Sequence, residues 1–236
     1  MQGIRVKFIE GIKRTATIES FRFAAAGGID FEAGQFMQLI FNEADPSDKI
    51  LNKYLSFSCA PGKDYIEATK RLSESAFSKR LKALKPGEEV FIKGPFGSCV
   101  FRSDYRKIAF LIGGIGITPV ISIIEQIATA GIPTDTVLFY SNRSEEEIAF
   151  KQELDSWAEA NSNIRVIYTV TDCPPRQKRC IYGRIDEKLL SEKLGDIFER
   201  VVFIFGPPKM VEAMQGLCLN LGCPKENIKT ESFIGY

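Results

Sequence analysis

Short runs of alternating or wholly apolar residues fill the first hundred positions, and a longer helical rhythm takes over after residue 106. Alternation begins near residue 3, and β-branched or aromatic runs follow at 15–23, 36–41, 55–58, 65–70 and 89–93. Turn residues separate them, at Gly27-Gly28, 44–48, Pro61-Gly62 and Pro86-Gly87. One helix interrupts, over 75–84, with Phe77, Leu81 and Leu84 on one face. Many short strands with a single helix predict an antiparallel barrel or sandwich. The second half alternates apolar strands with helical segments: 108–112 then 120–130, 136–140 then 145–160, 164–170 then 186–194, 201–205 then 209–221, and a closing strand at 228–233. Four βα repeats and a last strand predict a parallel sheet covered on both faces. The change of rhythm predicts two domains, residues 1–100 and 101–236.

The first strand of the second half runs into Gly113-Gly114-Ile115-Gly116-Ile117-Thr118-Pro119. Strand, glycine turn and helix start follow one another, with Pro119 in the first helical turn where proline is tolerated. Such a turn presents free N–H groups to an anion, and a dinucleotide pyrophosphate is a natural guest. It equally suits a helix packed closely on a strand, and its spacing is not the usual G-x-G-x-x-G. Loops at Ser141-Asn142-Arg143, Thr171-Asp172 and Gly206-Pro207-Pro208 end the other strands. Open parallel sheets bind ligands at those carboxyl ends.

Charge and composition narrow the chemistry. Lysine plus arginine number 31 against 30 aspartates and glutamates, which argues against a general nucleic-acid binder. No apolar run reaches the roughly 18 residues of a membrane helix, and the start shows no signal-peptide core, so a soluble cytoplasmic protein is expected. Histidine is absent, which removes histidine metal sites and histidine general bases. The six cysteines (59, 99, 173, 180, 218, 223) lack C-x-x-C spacing, so no metal site is expected. Cys218 and Cys223 read as packing residues. Cys173 and Cys180 bracket a basic, proline-rich loop and leave a redox pair open, against the reducing habit of a cytosol.

Four motifs in order resemble the ferredoxin–NADP reductase superfamily, over essentially the whole chain from residue 3. The first is Lys53-Tyr54-Leu55-Ser56, similar to the family's arginine-x-tyrosine-serine flavin motif. The second is Thr69-Lys70-Arg71 followed by Ser75-Ala76-Phe77-Ser78. The third comprises the Gly113, Gly114, Gly116 and Thr118 turn together with Tyr140-Ser141-Asn142-Arg143. The fourth is Phe205-Gly206-Pro207-Pro208, with Glu231 to Tyr236 resembling the family's ending.

The resemblance implies a six-stranded antiparallel flavin-binding barrel followed by a Rossmann-like nicotinamide-nucleotide domain. It places Lys53 beside the flavin phosphates, where lysine keeps the charge but loses arginine's fork. Leu55 stands where an aromatic packs on the flavin, and Ser56 approaches its N5. Thr69, Lys70, Arg71 and the helix start at Ser75 to Ser78 correspond to the pyrophosphate site, although a capped helix with solvated charges explains them equally. Thr118 corresponds to a residue near the nicotinamide, Phe205 replaces the family cysteine there, and Glu231 matches an acidic residue near the reaction centre. Tyr236 corresponds to the terminal aromatic that covers the flavin in some relatives. Asn142 and Arg143 fall near the adenosine end, where capping the next helix is the plainer role for Asn142.

A flavoenzyme moving hydride between NAD(P)H and FAD is implied, with FMN second because the usual FMN branch carries a fused iron–sulfur domain. Electrons then pass to a ferredoxin-like protein or a larger redox complex, from a monomer or small homo-oligomer. A subunit feeding a hydrogenase-like or dihydroorotate-dehydrogenase-like complex is the alternative, and a non-catalytic nucleotide-binding module is the rival of a different class. Thr171-Asp172 stands where NADP-specific relatives carry a serine–arginine pair, which favours NADH. Arg143, Arg176, Lys178, Arg179 and the family-matching Arg184 lie near enough in sequence to offset that carboxylate, or form a solvated loop.

Overall fold

Twelve strands and five α-helices follow one another along the chain in a computed structural model that describes residues 3–25, 28–172, 174–176 and 179–233. Two compact units emerge, Met1–Phe101 with Thr118–Gln126, and Arg102–Ile117 with Ile127–Tyr236.

The first unit is built on β1 (Ile4–Lys13), β2 (Ile18–Ala24), β3 (Phe36–Ile40), β4 (Asn52–Ser56), β5 (Tyr65–Arg71) and β6 (Glu89–Phe96), with α1 (Ala76–Lys82) between the last two. The strands pair antiparallel in the order β4-β3-β6-β1-β2-β5. An antiparallel bridge between Phe57 and Ala68 joins the two ends of that order and closes the sheet into a barrel. Period-two alternation sends Val6, Phe8, Phe21, Phe23, Leu55, Ile66 and Ile92 into one apolar core. There the Phe31 and Phe57 rings stack at 4.0 Å. Phe77 and Leu81 of α1 plug the same core, so the helix is held by its apolar face.

On the outer row of β5, Glu67 is a buried carboxylate. It accepts hydrogen bonds from Arg22 at 2.9 Å and Arg14 at 3.1 Å, and from the Ser58 hydroxyl at 3.2 Å. Within this unit Glu125 also accepts the Ala60 N–H and pairs with Lys63.

The second unit carries β7 (Lys107–Gly113), β8 (Asp135–Asn142), β9 (Ile164–Val170), β10 (Cys180–Tyr182), β11 (Val201–Gly206) and β12 (Ile228–Ser232). All pair parallel, in the order β10-β9-β8-β7-β11-β12. Its helices are α3 (Lys151–Ala160), α4 (Glu187–Lys193) and α5 (Pro208–Asn220), together with the last turn of α2 (Thr118–Ala130), whose residues up to Gln126 belong to the first unit. One face of the sheet packs Ala109, Leu111, Phe139 and Ile204 against Leu190, Val211 and Met214.

Two elements depart from the sequence reading. The expected helix over 145–160 splits into a 3-10 turn at Glu145–Glu147 and α3 from Lys151. Ile148, Ala149 and Phe150 between them are buried, and Phe150 takes φ 59°, so burial of three apolar side chains overrides helix continuation. The sheet also has a sixth strand, β10, whose three residues are too few for periodicity to mark.

At the amino ends of the strands Arg200 is 1% exposed. Its guanidinium reaches Asp135 Oδ2 at 2.5 Å and Asp196 Oδ1 at 2.8 Å, and donates to the carbonyls of Ile108 and Asp135 at 3.2 and 3.0 Å. The hydrogen bond from Arg200, with a further one from Lys107, holds the Asp196 carboxyl down to about 2. Removing one member of a buried ion cluster leaves the rest uncompensated. Arg200→Ala is therefore expected to lose about 3–5 kcal/mol in urea denaturation. Because the Asp196 pKa is depressed on folding, its contribution is complete above about pH 4 and lost as pH falls towards 2. Acid titration of wild type should show that loss, and the Arg200→Ala variant should show a smaller one, with Lys107 still paired to Asp196.

Candidate flavin and nicotinamide-nucleotide site

In the first unit β4 carries Lys53, Tyr54, Leu55 and Ser56, and the last residues of β5 are Thr69, Lys70 and Arg71. Alternation puts Lys53 in the row of Leu55 and Phe57, and Lys70 in the row of Ile66 and Ala68. The two ammonium groups are close enough to interact. Burial, and then the Lys53 charge, push the Lys70 ammonium below its ordinary value. Two neighbouring cations, one of them partly buried, suit a phosphate, whose charge favours the ammonium form of Lys70. A flavin nucleotide phosphate fits this donor set.

The other predicted contacts divide. Thr69 turns to the opposite row, where its hydroxyl bonds Ser20 and Ser58 at 2.6 and 2.7 Å. Arg71 donates to the Thr17 hydroxyl at 2.9 Å. Ser75 is the N-cap of α1 and accepts the Ser78 N–H at 3.3 Å, while the buried Ser78 hydroxyl accepts the Ser73 N–H at 3.2 Å. Ala76 opens the helix, and Phe77 points into the core beside the Phe41 ring. Capping thus already accounts for this serine segment. Leu55 belongs to the apolar core, Ser56 is buried, and Tyr54 stands outward.

The second unit brings its glycine turns into contact where β7 and β11 lie side by side. A Cβ on Gly116 would meet the Phe205 carbonyl oxygen at 2.5 Å, and one on Gly206 would meet the Gly113 nitrogen at 3.2 Å. These glycines therefore serve close backbone packing. Gly114, at φ 53° with open space beside it, is the member of the turn that a ligand can approach. Thr118 follows as the buried first residue of α2, a helix whose start has no side-chain cap and no acidic residue in its first turn. Pro207 precedes α5 in the same way.

Phe205 pairs in register with Ile112 of β7 and Glu231 of β12, so two predicted reaction-centre residues are neighbours. The Phe205 ring is wholly buried, edge-on to Phe203 at 5.9 Å. Burial raises the Glu231 carboxyl above its ordinary value. Tyr236, Cys173 and Lys178 lie outside the described residues.

At the ends of β8 and β9 the loops bind each other. The Thr171 N–H donates to the Asn142 carbonyl and the Asp172 N–H to the Arg143 carbonyl, at 3.1 and 2.9 Å. The Thr171 hydroxyl donates to Asp172 Oδ1 at 2.9 Å. Tyr182 pairs with Val170, so Arg184 and Asp172 each lie two residues past one rung. Arg176 donates its N–H to Glu145 and lies 4.0 Å from Glu146, while Arg179 meets Glu159 at 3.3 Å. The Cys180 thiol is raised to about 11 by burial and by Glu145, which suits packing rather than reactivity.

Asn142 is 5% exposed, and neither its amide oxygen nor its amide nitrogen has a hydrogen-bond partner. The buried Thr169 hydroxyl, which the sequence did not single out, is in the same condition. Buried polar atoms are nearly always paired, so each marks a place completed by a ligand or water. The two lie on opposite faces of the sheet, since Thr169 pairs with Ser141 and Asn142 with Val170. Nothing in the local sequence flags Thr169, because its isolation depends on which strands surround it.

Comparison with known proteins agrees with this arrangement. Residues 110–216 match the model of the oxidoreductase NAD-binding domain family. NADH-cytochrome b5 reductase 1 of Coccidioides immitis is 29% identical over 223 residues, 88% of this chain and 71% of the relative. The chain belongs to the ferredoxin–NADP reductase superfamily. Members of this superfamily include proteins much longer than this chain, which spans 17% of a barley nitrate reductase at 35% identity over 57% of its own length. Two solved structures share the fold of this superfamily member. The flavohem-like FAD/NAD-binding domain of a Vibrio cholerae nitric oxide dioxygenase gives a TM-score of 0.85 at 19% identity, over 99% of each chain. A Neisseria gonorrhoeae ferredoxin NADP+ reductase with bound FAD and NADP gives 0.81 at 20%, over 98% of this chain and 99% of that one. The protein is an NAD(P)H-dependent flavin oxidoreductase of this superfamily, passing electrons to a partner.

The packing of Gly116 on the Phe205 carbonyl is open to a direct test. Gly116→Ala must push β11 and the turn apart, and is expected to cost about 1–3 kcal/mol of stability in thermal or urea melts. An unchanged melting curve would show that the turn has room to spare.

Proposed function

We propose that the protein binds FAD in its first unit, takes reducing equivalents from NADH, and passes them to a separate one-electron carrier. Lys53 and Lys70, on the inner rows of β4 and β5 and near enough for one charge to act on the other, carry this reading, because a flavin nucleotide phosphate would balance two neighbouring cations. The flavin, when bound, supplies the redox chemistry, accepting hydride from reduced nicotinamide and releasing electrons to the carrier. The chain's own residues bind and orient. In this reading Ser56 faces the flavin N5 position, while Thr118, Phe205 and Glu231 shape the nicotinamide end. Asn142 and Thr169 supply unpaired polar atoms to the nucleotide.

Asp172 supports NADH over NADPH, because its carboxylate accepts a ribose hydroxyl and repels a 2′-phosphate. Arg176 and Arg179 do not offset it alone, since each lies against a glutamate of the neighbouring segment. Arg143 and Arg184 are then the cations left to meet the nucleotide phosphates. For the acceptor, the name of the Coccidioides relative supports a small haem protein of the cytochrome b5 kind ahead of a ferredoxin.

Chromatography of a heat extract is expected to show FAD, and FMN or no flavin would overturn the cofactor assignment. Stopped-flow reduction should be faster and tighter with NADH than with NADPH, and the reverse order would remove Asp172 from its role. Lys53→Ala apoprotein should lose roughly 2–5 kcal/mol of FAD binding if the ammonium contacts the phosphates, against about 0.5 for a solvated charge.

A further inference from the structure

Glu125 of α2 belongs to none of the motifs that the cofactors account for, yet it is firmly held. Its carboxylate accepts the Ala60 N–H at 2.6 Å and pairs with Lys63, both in the turn between β4 and β5. Lys63 also donates to the Tyr65 hydroxyl at 3.0 Å and sits over that ring at 5.2 Å, while the Arg22 guanidinium covers the ring at 4.4 Å. Arg22 is itself fixed by Glu67 at 2.9 Å. Burial works against the Lys63 charge, but the hydrogen bonds to Glu125 and Tyr65 keep the ammonium above its ordinary value. The Glu125 side chain is 14% exposed and that of Lys63 28%, so water screens this pair less than an ordinary surface ion pair.

The contact joins two stiff segments, each carrying a residue assigned to the reaction. On one side Ser56 precedes Ala60 by four residues in the β4–β5 hairpin, which the Phe57–Ala68 bridge and the Ser58 N–H on the Glu67 carbonyl at 2.8 Å tie together. On the other, Glu125 follows Thr118 by seven residues of α2. Seven residues are two helical turns, so both side chains share one face, about 10 Å apart along the axis. Thr118 to Gln126 belong to the first unit with the barrel strands. The Glu125 contact therefore sets where Thr118 stands relative to Ser56. We propose that Glu125, held by Lys63 and the Ala60 N–H, is a positioning residue for hydride transfer. It fixes the start of α2, at the nicotinamide end, against the hairpin that carries the flavin. This rests on the reading that places Ser56 at the flavin and Thr118 at the nicotinamide. Hydride donor and acceptor react only within about 3–3.5 Å, and a displacement of about 1 Å from a distant mutation costs up to about a hundredfold in rate.

The test is anaerobic stopped-flow reduction of the flavin-loaded enzyme by NADH, which separates the limiting rate from the dissociation constant. Wild type is compared with Glu125→Ala, Lys63→Met and Lys63→Arg. Glu125→Ala is expected to lower the limiting rate about tenfold, with NADH affinity and flavin content unchanged. Lys63→Met should lower it by a smaller factor, since the Ala60 N–H still holds the carboxylate, and Lys63→Arg should keep the wild-type rate. Should Glu125→Ala fail to fold, Lys63→Met reads the same contact from its more exposed side. A limiting rate that stays at the wild-type value, whether or not affinity falls, or a fall that Lys63→Arg shares, would overturn the proposal and leave the contact as a stabilising ion pair. Failure of wild-type flavin to be reduced by NADH would instead sink the hydride-transfer reading, and this inference with it.

Discussion

Backbone touching backbone at the crossing of two turns is the constraint on which the second unit rests. β7 and β11 are neighbours in space although about 90 residues separate them in sequence, and the connection from each into its helix passes the other at contact distance. A side chain on Gly116 has nowhere to go, and one on Gly206 would crowd the Gly113 backbone at 3.2 Å, so close packing favours glycine at both positions. The consequence for function is geometric. Packing draws the starts of α2 and α5 to the same end of the sheet, and neither start is capped by a side chain. That end is where strand order reverses direction about β7, the place in an open parallel sheet where ligands enter.

Charge is distributed in keeping with that geometry. At the amino ends of the strands Arg200, Asp135, Asp196, Lys107 and Glu199 neutralise one another. At the carboxyl ends the Asn142 side-chain amide and the Thr169 hydroxyl are left without hydrogen bonds. One end of the sheet is internally satisfied and the other is not, which is the asymmetry expected when only one end has a ligand to receive. In the first unit a similar contrast holds across β5. Its outer row, Glu67 and Thr69, sits in a network of arginines and hydroxyls, while Lys70 on the inner row feels the charge of Lys53.

The two departures from the family pattern have different weights. Leu55 replaces an aromatic and is absorbed into the barrel core, so the aromatic surface on this strand passes to Tyr54, one residue earlier and on the other face. Phe205 replaces a cysteine and is enclosed by Phe203 and its neighbours, which turns a polar position into part of the apolar core. Flavin and nicotinamide supply the redox chemistry themselves, so neither substitution removes a group the reaction requires. The polar residues that the resemblance assigns to the reaction, Ser56, Thr118 and Glu231, are each wholly or partly buried in the unit that carries them.

Periodicity was enough to divide this chain into a barrel of short strands and a βα-repeat sheet, because alternation and helical spacing are local consequences of burying one face. The motifs at 53–56, 69–78, 113–119 and 205–208 were legible for the same reason, each being a contiguous turn or strand end. Local pattern failed where distant segments set the outcome. The break at Ile148 to Phe150 follows from burial of three apolar side chains, and β10 exists only because Cys180 to Tyr182 finds β9 to pair with. The same holds for the site. Only the tertiary structure decided that Gly116 and Gly206 are packing glycines, that Ser75 and Ser78 are engaged in a helix cap, and that Lys53 and Lys70 meet. Each of these depends on the distance between atoms far apart in sequence, or on which face of a strand its neighbours cover, and no local pattern encodes either.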